Sequence, residues 1–386
     1  MEDLELLTKF RRDLHRIPEL SFDLPETTRY VRSVLADLSC EVTEPCESCV
    51  CAYFNVDEAC GRAAGGPATA IRADMDALPI NENSGVSFCS TKPGHMHACG
   101  HDGHMAMALA VACWVNDVLA QVHAGAACPL PRNVLFVFQP AEETTGGART
   151  VCESGVFERY HADRIFGFHV WPDLPAGVVA TRPGPLLARA SETHVTIHGT
   201  SSHIAKSADG HDALLAGAHF LTGVEALMAE LSAEEPCLLK FGLMQSGAVC
   251  NAISAQTQIA GSLRVFSDEM FDRARAGVER CAREACEPYC CTYDLDFADG
   301  YPPVTNDAAL YGLAKGALGD ALELVPEPLL IAEDFAFYQR HLPGLFMLLG
   351  TGTGIPLHSD EFRMDESVLV RGLEKYRTLL QTATRA

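Results

Sequence analysis

Apolar positions fall at helical spacing near the start of the chain. Leu4, Leu7, Phe10, Leu14 and Ile17 share one face, which predicts an amphipathic helix over 4–17, ended by Pro18. Pro25-Glu26 opens a second helix expected to reach about Leu38. The pattern then changes period. Residues 68–74, 133–138 and 164–170 are short, nearly continuous apolar runs that suit buried strands, and a helical stretch is predicted from about Gly103 to Leu119. Strands alternating with helices imply an α/β domain with a mainly parallel sheet flanked by helices. Ligands of such sheets collect beyond the carboxyl ends of the strands. Asp74, Glu142, Glu143 and His169 stand at such ends.

Near Pro183-Gly184-Pro185 the pattern changes again. Residues 192–198 alternate, with Thr193, Val195 and Ile197 on one side. A long helix is predicted over 212–231, strands near 238–246 and 254–266, a helix over 268–287 and a strand near 291–297. The β-α-β-β-α-β order predicts a smaller α+β two-layer sandwich. The α/β pattern resumes near Tyr301-Pro302-Pro303. The expectation is therefore a large domain in two pieces, 1–183 and 298–386, with a second domain, 184–297, inserted in it.

Composition narrows the function classes. A chain of 386 residues, 48% hydrophobic, suits two domains. Its net charge of −22 repels nucleic acid and anionic lipid, so neither is an expected partner. The first residues, Met1-Glu2-Asp3-Leu4, lack the basic segment of a secretory signal, and no apolar run is expected to reach the roughly 18 residues of a membrane span. Sixteen cysteines then read as reduced thiols, and a cytoplasmic location is expected. Cys46-x-x-Cys49-x-Cys51 has the spacing of half a zinc knuckle, but no second pair follows, so a structural zinc is not expected. Cys290-Cys291 read as small buried hydrophobes.

Chemistry concentrates in His95-Met96-His97-Ala98-Cys99-Gly100-His101-Asp102-Gly103-His104. Imidazole, thiolate and carboxylate are ligands for borderline divalent cations. Glu142 and Glu143 follow an apolar strand and a Pro140-Ala141 corner. On an extended backbone, neighbouring side chains diverge. One could bind a metal while the other takes a proton from a water activated there. His169 ends an apolar strand before Trp171-Pro172, and His358 lies in a glycine-rich loop over 350–360.

These blocks carry a resemblance. Arg72-Ala73-Asp74-Met75-Asp76-Ala77-Leu78-Pro79, the run from His97 to His104, Gln139-Pro140-Ala141-Glu142-Glu143, Gly167-Phe168-His169-Val170-Trp171-Pro172, and Ala332-Glu333-Asp334-Phe335 with His358 occur in that order. Together they resemble the dinuclear metallo-amidohydrolases that include aminoacylases, hippurate hydrolases and auxin-conjugate hydrolases. The resemblance extends from Arg11 to Glu366. It implies two divalent ions (zinc, manganese, cobalt or nickel) bridged by Cys99. His101 and Glu143 would complete one shell, and His169 and His358 the other. It makes Glu142 the general base and Asp74 an orienting carboxylate, and it leaves His95, His97 and His104 outside the ligand set. It also implies a homodimer through the inserted domain, with His203 stabilising the oxyanion and Asn251 and Arg264 contacting substrate. A guanidinium reads a carboxylate, and an imidazole suits an oxyanion.

Three departures touch the rim rather than the ligands. They are Ala205-Lys206-Ser207-Ala208 after His203, Asn251-Ala252-Ile253-Ser254, and Asp360 two residues after His358. The expected activity is hydrolysis of the amide bond of an N-acyl amino acid or small peptide-like conjugate. Carboxypeptidase or dipeptidase action on small peptides is the first rival. A catalytically idle dimeric homologue that binds metal or ligand is the second. A zinc nucleobase deaminase is excluded because its HxE…PCxxC signature is absent.

Overall fold

The structure, a computed structural model, describes residues 2–144 and 146–382. The chain packs as two units. One comprises Met1–Gly184, Thr305–Pro326 and Asp334–Ala386; the other comprises Pro185–Val304 and Glu327–Glu333.

The first unit runs α1 (Asp3–His15), α2 (Pro25–Leu35), β1 (Glu41–Thr43), β2 (Val50–Phe54), the short α3 (Val56–Ala59), β3 (Ala68–Asp74), α4 (His101–His123), β4 (Asn133–Gln139), the short α5 (Gly147–Glu153) and α6 (Val156–Arg159), β5 (Ala162–Trp171) and β6 (Val179–Thr181). The second unit takes β7 (Gly184–Leu187), β8 (Arg189–His198), α7 (Ala213–Leu231), β9 (Cys237–Ser246), β10 (Gln256–Val265), α8 (Asp268–Cys286) and β11 (Thr292–Phe297). The chain returns through β12 (Val304–Asn306) to α9 (Ala308–Leu318), β13 (Glu323–Leu324), β14 (Gly344–Gly350) and α10 (Ser367–Gln381).

The large sheet has the order β1-β2-β4-β3-β5-β14-β6-β13. Its centre, β4-β3-β5-β14, is parallel throughout. β3, β4 and β14 are buried at every position, as strands covered on both faces must be. β1 and β2 form an antiparallel edge that the sequence reading did not anticipate. α4 packs on β3 between α1 and α10, and its apolar residues join the core on nearly every side. Pro25 starts α2 at a position where its missing N–H costs nothing.

The second unit is a four-stranded antiparallel sheet, β11-β8-β10-β9, with α7 and α8 packed together against it. The Asp212 side chain caps α7 and the Ser267 side chain caps α8, each accepting backbone N–H bonds in the first turn. A separate core gathers Val195, Ile197, Phe220, Ile259, Phe271 and Val278.

One expectation needs correcting. Among the described residues, two helices, α4 with 23 residues and α7 with 19, are long and apolar enough to cross a membrane by length and composition. In α4 the apolar surface is spent on the core, which is the ordinary fate of such a helix in an α/β unit.

Candidate metal centre

The carboxyl ends of β3, β4 and β5 converge on one polar cluster. Cys99 and His101 flank Gly100, which caps the N-terminus of α4 at φ 86°. A Cβ at this position would lie 2.5 Å from Val170 Cγ2, so only glycine allows α4 to start this close to β5. His169 projects from β5, and its Nε2 lies 3.3 Å from Cys99 Sγ. His169 Nδ1 meets the Val170 carbonyl at 2.7 Å, leaving Nε2 directed at the cluster. His358 reaches in from the glycine-rich loop with a φ of 65°. Its backbone N–H donates to Ala98 O, and its Nε2 lies 3.3 Å from Glu143 Oε1.

Glu142 and Glu143 are not on extended backbone, contrary to the sequence reading. They sit in a turn after Ala141, whose φ is 56°, and Gly147 lies so close beneath the Pro140 carbonyl that a Cβ there would be 1.9 Å from its oxygen. What aims the pair is Asp76, which sequence reasoning passed over. Its buried carboxylate accepts the Glu142 N–H at 2.9 Å and the Glu143 N–H at 3.1 Å, one on each oxygen. Its backbone carbonyl accepts His101 Nδ1 at 2.7 Å, which turns His101 Nε2 inward. The available signal was its place two residues after Asp74 in the same motif.

Asp74 accepts His104 Nδ1 at 2.6 Å and Arg72 Nη1 at 2.6 Å, and lies 3.4 Å from His101 Nε2. His104 Nε2 in turn accepts the Val170 N–H at 3.0 Å. Both His104 nitrogens are engaged, although His104 also groups with Asp74 and His101 as three donors within 4.8 Å of one another. Beneath them the buried Arg72 guanidinium also bonds Gln139 and Asp334. His97 is buried with neither ring nitrogen hydrogen-bonded.

The residues fit a cation site. His101 Nε2 and Glu143 Oε1 are buried without a hydrogen-bond partner. Donor atoms lie within 4.8 Å of one another in the groups Cys99–His101–His169, Cys99–Glu143–His358 and His101–Glu142–Glu143. These groups overlap, because Glu143 stands beside both His101, at 3.8 Å, and His358, at 3.3 Å, while His169 stands 3.3 Å from Cys99. Electrostatics agree. Burial opposes charge on His101, but Asp74, Asp76 and Glu143 outweigh it and raise its pKa to about 10, so the cluster favours positive charge. Burial lowers His169 to about 3, leaving it neutral and able to donate a lone pair. Glu143 is held ionised at about 2 despite burial, by His358 and His101. Burial and the two neighbouring glutamates push the Cys99 thiol well above its usual range, so its thiolate needs a cation beside it.

The remaining expected residues belong to the second unit. His203 is exposed, its Nδ1 accepts the Ala205 N–H, and its segment pairs with that of Asn251 and Ala252. Arg264 is half-buried near the far end of β10. It stands eight residues from Gln256, or roughly 26 Å at strand spacing, so it is not brought together with His203 and Asn251.

An α/β unit with thiolate, imidazole and carboxylate donors converging on its strand ends is the architecture of a metal-dependent hydrolase. The sequence model of Peptidase family M20/M25/M40 matches residues 70–382. A Synechocystis protein described as a probable hydrolase, sll0100, is 35% identical over 381 residues, covering 96% of this chain and 93% of its own. Among solved structures, the Bacillus subtilis YXEP protein, a dinuclear metal-binding peptidase of family M20, is 30% identical with a TM-score of 0.83 and covers 98% of each chain. A Staphylococcus aureus chain named provisionally as an aminohydrolase is 28% identical with a TM-score of 0.87, covering 98% of this chain and 96% of its own. The chain belongs to Peptidase family M20/M25/M40 and is a metal-dependent hydrolase of that family.

Proposed function

We propose that this chain hydrolyses the amide bond of N-acyl amino acids or related small conjugates, using two divalent ions held by Cys99, His101, Glu143, His169 and His358. In this proposal Cys99 would serve both ions, His101 and His169 one of them, and Glu143 and His358 the other. Zinc, manganese, cobalt and nickel all suit this donor set. Bound there, such ions polarise a carbonyl and bring a water's pKa toward neutrality. Glu142 takes the proton of the attacking water and returns it to the leaving nitrogen. Asp76 and Asp74 are positioning residues, holding the Glu142–Glu143 turn and the His101–His104 pair. The observation that carries the reading is the convergence of five donors from four separate chain segments, with the Glu142 carboxylate within 4.8 Å of donor atoms of His101 and Glu143.

In the same proposal the inserted unit is a lid and dimerisation domain. His203 stabilises the oxyanion, and Asn251 and Arg264 contact the substrate. Since the two groups lie at opposite ends of one sheet, a small substrate meets both only if they come from different subunits. β9 is a sheet edge that exposes Leu243 and Met244, and α7 exposes Leu214 and Leu215, an apolar surface suited to a second copy. Sixteen free cysteines accord with a cytoplasmic location.

The peptidase among the solved neighbours favours a second reading, carboxypeptidase or dipeptidase action on small peptides. Metal-stripped protein reloaded with each cation and given N-acetyl, N-benzoyl and dipeptide substrates separates them. Faster turnover of the N-acyl amino acids supports the first reading, and faster turnover of the dipeptides supports the second. No turnover with any cation leaves an idle binding homologue.

A further inference from the structure

Away from the metal centre, the sequence Cys46-Glu47-Ser48-Cys49-Val50-Cys51 forms a thiol cluster that the hydrolytic chemistry does not use. The Cys49 N–H donates to the Cys46 carbonyl at 3.2 Å, closing a turn with Ser48 at φ 53°. A turn of this kind brings its end Cα atoms within about 7 Å, which overlaps the roughly 4.4–6.8 Å that a disulfide spans. Cys46 is half-buried and reachable, whereas Cys49 is fully buried behind it. We propose that Cys46 and Cys49 are a redox dithiol, closed to an intramolecular disulfide by low-molecular-weight disulfides of the glutathione class.

The step balances as thiol–disulfide exchange. The Cys46 thiolate attacks one sulfur of the oxidised tripeptide. Its S–S bond breaks, one tripeptide thiolate leaves, and a mixed disulfide remains on Cys46. Cys49, giving up its proton, attacks the Cys46 sulfur and expels the second thiolate. The dithiol is oxidised by two electrons, and one external disulfide is reduced to two thiols. The second attack is intramolecular, so burial of Cys49 does not block it. The neighbouring Cys49 side chain holds the Cys46 thiol below its usual range, which suits it as the attacking group.

The competing arrangements are weaker. Cys49 Sγ lies 3.9 Å from Cys51 Sγ, but Cys51 is fixed within β2, paired with Thr43 and Val137. Residues two apart on a strand sit about 6.6 Å apart, near the limit of a disulfide. Among the described residues, no three-donor group includes any of these thiols, so a metal finds no third ligand in place. Cys60 contacts Cys128, but burial raises the Cys60 thiol to about 11, which makes it a slow nucleophile.

The test treats reduced, metal-loaded protein with increasing ratios of oxidised to reduced glutathione, then blocks free thiols and maps peptides by mass. The expected result is a Cys46–Cys49 disulfide at a lower ratio than any other internal pair. Cys49→Ser should stop at a mixed disulfide on Cys46. Cys46→Ser should leave Cys49 and Cys51 as free thiols, and this half-buried position carries the test if Cys49→Ser fails to fold. A Cys49–Cys51 or Cys60–Cys128 disulfide at an equal or lower ratio would overturn the proposal. So would loss of a zinc equivalent when Cys46 alone is blocked, since these thiols would then be metal ligands.

Discussion

Asp76→Asn tests how the catalytic turn is held. In the native chain each Asp76 oxygen accepts one backbone N–H, from Glu142 at 2.9 Å and from Glu143 at 3.1 Å. Asparagine offers one oxygen and one NH2 group. Whichever way the amide turns, one buried N–H then faces another donor. Leaving such a group unsatisfied costs about 1–3 kcal/mol. The cost falls on a turn already constrained by Ala141 at positive φ and by Gly147 packed under Pro140. Expressed as a smaller population of correctly placed turns, it lowers kcat about 5- to 150-fold. The His101 bond runs to the Asp76 backbone carbonyl and survives the substitution. Metal titration should therefore show weaker binding at the Glu143–His358 site and little change at the His101–His169 site. The assay is kcat and KM at saturating metal on protein shown to be folded by circular dichroism. A folded variant with native kcat and two native metal affinities would refute the reasoning.

Other perturbations follow from the same geometry. Cys99→Ala should weaken binding at both ion sites, whereas His95→Ala should leave both intact; titration of stripped protein distinguishes them, and the reverse result contradicts the shared-thiolate assignment. Gly100→Ala should destabilise the fold by about 1–3 kcal/mol, read as a lower Tm, because it combines positive φ with a 2.5 Å clash against Val170. His15 is buried between Asp102 and Glu82; burial opposes its charge, but these carboxylates outweigh it and raise its pKa to about 9 from 6.5. Its contribution, about 3 kcal/mol, is complete below about pH 6.5 and is lost as pH rises through 9. Chemical denaturation at pH 6 and pH 9 should show that decline in the native chain and not in His15→Gln.

Much of the fold was legible because buried parallel strands are written as continuous apolar runs: β3, β4 and β5 lie within a few residues of the predicted segments. β1 and β2 were missed. They are short and antiparallel, and β2 carries Cys51, so composition drew attention to the Cys46–Cys51 spacing rather than to Val50–Phe54 as a strand. The residues of the polar cluster were recognisable from their motifs, but two features of their arrangement were not. The pairing of His358 with Glu143 depends on a loop returning from more than two hundred residues away. Asp76 acts on backbone amides 66 and 67 residues distant, and no pattern of side-chain types records which amides a carboxylate will hold.

The central claim is that Glu142 moves the proton while five other residues hold two ions. Glu142→Gln tests it most directly, with metal content and turnover measured on the same sample. The account predicts two bound ions per chain, as in the native protein, and turnover reduced by about 100- to 10,000-fold, the usual worth of a general base. Two bound ions with undiminished turnover would contradict it.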